Sequence, residues 1–92
     1  MAEEITIDLP ESADITMVAM FHEKMKEVLE QERPVVLEAA SVSRADTAFL
    51  QLLTSFLIIT SAKQLQVKWG TLSNSFKQAV ELLGLSDQFK IS

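Results

Sequence analysis

Residues 35–63 read VVLEAASVSRADTAFLQLLTSFLIITSAK. The run Val35-Val36-Leu37 is short and unbroken, the pattern of a strand covered on both faces. Asp46 stands where a carboxylate can cap a helix, and the 16 residues from Thr47 to Ala62 carry no charge. That length falls short of the roughly 20 apolar residues a membrane span needs, and Gln51, Thr54, Ser55 and Thr60 interrupt it. The stretch is therefore predicted as a buried or interface helix running to about Lys63. Ala45, Phe49, Leu52, Leu53, Phe56, Leu57, Ile58 and Ile59 surround most of its circumference. A core position on every side is one explanation. A chain of 92 residues buries only about 60% of the surface its unfolded form exposes, too little to wrap one helix completely. The expectation is a face left for a partner.

Upstream, Ile5, Ile7 and Leu9 alternate with Thr6 and Asp8, the period of a half-buried strand, ended by Pro10. A helix follows from about Thr16 to Gln31. Val18, Phe21, Met25, Val28 and Leu29 form its apolar stripe, and Glu23, Lys24, Lys26, Glu27 and Glu30 its wet side. Asp14 or Thr16 can cap it, and Pro34 prevents its continuation. Downstream, Leu65, Val67 and Trp69 alternate with Gln66 and Lys68, giving another strand with one wet face. Ser73 can cap a last helix with Phe76, Ala79, Val80 and Leu83 as its stripe. Gly84 suits a left-handed C-terminal residue, with Leu85 folding back onto Val80.

The order is β-α-β-α-β-α. Strands joined through helices pair in parallel with right-handed crossovers. The fold class is α/β: a sheet of three or four strands, largely parallel or mixed, with helices packed on it, as one domain over residues 1–92.

Composition narrows the function. Cysteine is absent and His22 is the only histidine, which removes disulfides, thiolate zinc sites, thiol nucleophiles and multi-histidine metal centres. The net charge is −5, with 11 acids against 4 bases in residues 1–46 and 2 against 4 in residues 47–92. Without a Lys/Arg stripe, neither nucleic acid nor an anionic membrane is an expected partner. The opening residues MAEEITIDLP lack a basic region and an apolar core, so no signal peptide is read there and a cytoplasmic protein is expected. No glycine loop for phosphates is present, and no cofactor is expected.

The segment Val42-Ser43-Arg44-Ala45-Asp46-Thr47-Ala48, between Val35-Val36-Leu37-Glu38 and Leu50-Gln51-Leu52-Leu53, resembles the signature of STAS domains, the anti-sigma factor antagonist-like family. The family's motif is an apolar strand, a short loop ending in Asp-Ser or Asp-Thr, then a small residue, Gly and Leu. Ala79-Val80-Glu81-Leu82-Leu83-Gly84-Leu85 is similar to the family's closing helix and Gly-Leu. The resemblance extends from about Ile5 to Phe89. It implies a small sheet with helices on one side, no catalytic centre, and partner switching, in which an unphosphorylated antagonist binds an anti-sigma factor kinase and phosphorylation releases it.

By residue matching, Thr47 takes the phosphoacceptor position and Asp46 the acidic residue before it. Arg44, Ala48, Phe49, Leu50 and Leu53 join them as candidate partner contacts. Where the family has Gly this chain has Phe49, which either blocks close approach of a partner or anchors in a partner's pocket. Two other branches are also similar: the small accessory subunit of bacterial phospholipid-trafficking ABC transporters, which binds the ATPase subunit, and chemotaxis-cluster STAS proteins. The expected partner is thus a protein, whether a kinase, a transporter ATPase or a chemotaxis protein, with a homodimer as a further option.

The remaining candidates read more plainly. His22, beside Glu23, lacks a readable nucleophile partner and reads as a surface residue; a small enzyme built around it is the remote alternative. Glu3, Glu4, Asp8, Glu11 and Asp14 lack calcium-loop spacing and read as a solvated acidic edge. Met17, Met20 and Met25 read as core filler, and Trp69 as a core residue at a strand end.

Overall fold

Three parallel strands carry the fold, in a computed structural model that describes residues 3–91. They are β1 (Ile5–Asp8), β3 (Val35–Ala39) and β5 (Val67–Leu72), in spatial order β1-β3-β5. The period-two reading of β1 holds, since Ile7 and Leu9 are buried while Thr6 and Asp8 are exposed. Between these strands run α1 (Ile15–Gln31) and α2 (Thr47–Ala62). Successive right-handed crossovers in one direction along a sheet put both helices on the same face, where they pack on each other.

The opposite face stays open. Val36 is only half-buried, whereas Val35 and Leu37 beside it are fully enclosed. The expectation that this run is covered on both sides is therefore corrected: with all long helices on one face, β3 alternates like its neighbours.

Two strands of two residues each, β2 (Ser12–Ala13) and β4 (Arg44–Ala45), pair in parallel as a separate small sheet. They clip the loop after β1 to the loop after β3, with Ser43 N–H donating to Glu11 O at 2.8 Å and Asp46 N–H to Ala13 O at 3.0 Å. After β5, the Ser73 hydroxyl accepts from Phe76 N–H at 3.0 Å and caps α3 (Asn74–Leu82). Gly84 takes φ 70° and Leu85 N–H returns to Val80 O at 3.0 Å, as a left-handed helix end predicts. Leu83, read as part of the stripe, is instead 43% exposed, because it falls at the helix's C-terminal cap rather than on the face of Phe76 and Val80. A fourth helix, α4 (Ser86–Phe89), sends Phe89 into the core.

The core joins Ile7, Leu9, Val35 and Leu37 of the sheet to Phe21, Met25 and Val28 of α1 and Phe49, Leu50, Leu53 and Phe56 of α2. Each such side chain contributes about 1.5–3 kcal/mol when fully buried. Met20, read as core filler, is 56% exposed; it lies one position off the Phe21–Met25–Val28 stripe. Trp69 lies within β5 rather than at its end, packed between Phe76 and Phe89 at ring separations of 5.3 and 5.7 Å.

Candidate functional site

Asp46 and Thr47 stand at the head of α2. Asp46 holds an extended backbone, and its carboxylate Oδ1 accepts from Phe49 N–H at 2.9 Å. Its other oxygen, Oδ2, accepts from Ile15 N–H at 2.9 Å, the first residue of α1. One carboxylate thus caps two helices, and both have free N–H groups and a positive dipole end at that point. Asp14 caps α1 from its own side, accepting from Thr16 N–H at 3.0 Å and from the Thr16 hydroxyl. Arg44 donates to Asp14 at 2.9 Å while most of its side chain stays in water. The Thr16 hydroxyl above all, with Arg44 and Thr16 N–H assisting, holds the Asp14 carboxyl below the usual carboxylate range against the opposing effect of burial.

Thr47, the candidate phosphoacceptor, is the first residue of α2 and is exposed. Ala48 beside it is half-buried. The loop leading to them is held from two sides, because the Ser73 hydroxyl donates to Val42 O at 2.6 Å while Ser43 Oγ donates to Glu11 O at 3.0 Å. The head of α2 is therefore a fixed platform.

Three expected contacts are overturned as surface residues. Phe49, Leu50 and Leu53 are all 0% exposed, and the Phe49 ring meets Phe21 edge-on at 5.4 Å. Phe49 is neither a steric block nor an anchor for a partner; it fills the seam between α1 and α2. The aromatic points inward because the Asp46 cap bond to its own amide fixes the phase of the first turn. The surplus apolar surface of α2 lies in its C-terminal half instead, at Ile58 and Ile59.

The structure adds a residue that sequence reasoning missed. Ile15 is 64% exposed and its amide is bonded to the residue preceding Thr47. It stands one residue ahead of the expected helix start, so the predicted stripe does not place it. At the helix head no neighbour covers it. Ile15, Arg44 and Thr47 thus stand together around the doubly capped junction.

His22 is exposed on α1. Among the described residues no group of three potential metal-ligating side chains comes together, and no helix is long and apolar enough to cross a membrane.

The family model described as "Mlab, STAS domain" matches residues 2–91 of the chain. No curated protein matches it.

Proposed function

The chain belongs to the MlaB-like STAS domain family, whose general role is protein interaction without catalysis, and from that premise we propose that it is a binding subunit engaging its partner at the joined heads of α1 and α2. Thr47 is the position that sets affinity, with Ile15 as apolar contact and Arg44 as polar contact. The observation that carries this reading is the exposure of Thr47 and Ile15 on either side of a carboxylate that ties both helices together. A rigid apolar side chain beside a small hydroxyl suits close docking at little entropic cost.

The form of that role favoured here is a constitutive accessory subunit, the partner being the ATPase of a transporter. The observation that supports it is the matching family, which is the MlaB one. Both oxygens of Asp46 are already engaged by helix N–H groups, so a phosphate on Thr47 would stand beside that carboxylate and act against docking by repulsion and desolvation. A second reading, regulated release by phosphorylation, is favoured by the exposure of Thr47 itself.

The test is capture of the partner from native cells with the tagged chain and its variants, with intact mass of the native chain measured in parallel. Thr47→Glu and Ile15→Glu are expected to lose the partner, Thr47→Ala to keep it, and the native mass to be unmodified with an ATPase as the captured protein. A mass increased by one phosphate would select the switching reading. Equal capture by all variants rejects the surface altogether.

A further inference from the structure

At the opposite end of α2 an open slot of about 550 Å³ lies between α2, β5 and α4, with Leu57, Ile58, Val67, Trp69, Phe89 and Lys90 among its walls. Its outer wall is the edge of the sheet, because among the described residues β5 pairs only with β3. Val35 N–H donates to Gln66 O at 2.9 Å, which turns Gln66 toward β3. Backbone groups of successive strand residues alternate in direction, so the N–H and C=O of Val67 and Trp69 face away from β3. Among the described residues, none of the backbone bonds outside the regular elements reaches them. Exposed edges are usually blunted by bulges or charges; here the register shift comes later, opposite Leu37–Ala39, and the charge in this stretch, Lys68, alternates to the other face of the sheet, where it pairs with Glu4 at 3.0 Å. The first half of β5 is left able to pair.

Charge selects the occupant. Among the described residues Lys90 is the one charged residue lining the slot, and Lys63 stands exposed at the adjoining C-cap of α2. Three of the last four carbonyls of α2 are already taken, Ile59 O by Lys63 N–H, Thr60 O by Leu65 N–H and Ser61 O by Gln64 N–H. A second copy pairing β5 with β5 about a two-fold axis would bring like charges together. We propose that the slot binds an extended segment of a partner protein as a fourth strand along β5, a segment that alternates apolar residues with carboxylates. Backbone bonds to Val67 and Trp69 supply register, the apolar floor takes alternate side chains, and Lys90 with Lys63 selects acidic neighbours. This surface is distinct from the α2 head and stands or falls separately from it.

The test uses a random dodecapeptide library displayed on phage, selected against the full chain, followed by synthesis of the enriched peptides. Trp69 is the only tryptophan, so its fluorescence reports occupancy. Acidic–apolar peptides are expected to be enriched and to slow amide exchange at Val67 and Trp69 at least tenfold. N-methylation of alternate peptide amides should abolish binding, and Lys90→Glu should weaken it about tenfold, the usual scale of one lost charge contact. Val67→Pro removes the outward donor without touching the β3 ladder and should weaken it similarly, while Lys90→Glu provides the test if that variant does not fold. Absence of enrichment, selection of basic peptides, unchanged exchange along β5, indifference to N-methylation, or a peptide-free dimer already protected at β5 would each overturn the proposal. So would dodecanoate filling the slot where no peptide does.

Discussion

Asp46 Oδ2 lies 2.9 Å from the amide nitrogen of Ile15, a residue 31 positions earlier in the chain, while its other oxygen caps α2. This cross-cap makes the heads of two helices one rigid unit. Replacing Asp46 by Ala removes both bonds, each an N-cap interaction worth about 1 kcal/mol, and is expected to lower stability by about 2 kcal/mol in urea denaturation with an unchanged slope. Asp46→Asn keeps the acceptor toward Phe49 but turns an amide donor toward Ile15 N–H, so it should fall between Ala and the native chain. Equal effects of Ala and Asn would show that only one of the two bonds matters.

Gly70 depends on Glu38. A Cβ at position 70 would run into the Glu38 carboxylate, which folds across β5 to accept from Thr71 N–H at 2.7 Å. This bond fills the gap left by the register shift between Leu37 and Ala39. Gly70→Ala is expected to displace Glu38 and cost about 1 kcal/mol, the usual worth of one hydrogen bond. In a Glu38→Ala background the same change should cost little. A double-mutant cycle measures the coupling, and strict additivity would mean that Glu38 moves aside freely.

The strands and caps legible in the sequence are those set by short-range rules. Ile5, Ile7 and Leu9 show their alternation locally, and Asp46 and Ser73 are cap-type residues standing directly before their helical segments. The short pair β2–β4 has no pattern to read, since two residues carry no period and the pairing joins segments about 30 residues apart. The candidate site divides in the same way. Asp46 and Thr47 follow from the cap position, but α2 is apolar nearly all round, so its sequence does not say which side faces the sheet. That is why Phe49, Leu50 and Leu53 read as contacts when the packing encloses them, while Ile15, one residue ahead of the expected helix start, has no stripe to place it by.

Phe49 gives the sharpest check on that reversal. It is enclosed and packs edge-on against Phe21, so Phe49→Ala should cost about 3–5 kcal/mol, as for other buried aromatics. A residue serving only as a surface contact would shift stability by less than about 0.5 kcal/mol and would lose the partner instead. Chemical denaturation of the variant, together with partner capture at a temperature where it remains folded, separates the two. Substitution by Gly, which the family motif carries there, should destabilise further by about 1 kcal/mol because a helix interior loses more backbone entropy.

Acid stability should report on Asp14. Its carboxyl is held below its ordinary value, chiefly by the Thr16 hydroxyl and then by Arg44. The folded state therefore releases this proton more readily than the unfolded chain does. The resulting stabilisation is complete above the unfolded carboxylate value of about 3.9 and is lost as pH falls through the lowered folded value. Thr16→Val removes the hydroxyl while keeping the shape, so it should destabilise the protein near neutral pH and converge with the native chain once pH has fallen through the lowered folded value. Arg44→Met should act in the same direction but more weakly and only at low salt, because its side chain is 69% exposed and exposed pairs are screened. Urea midpoints across the pH range decide the matter: a Thr16→Val deficit that stays constant into acid would mean that the hydroxyl serves packing rather than the charge on Asp14.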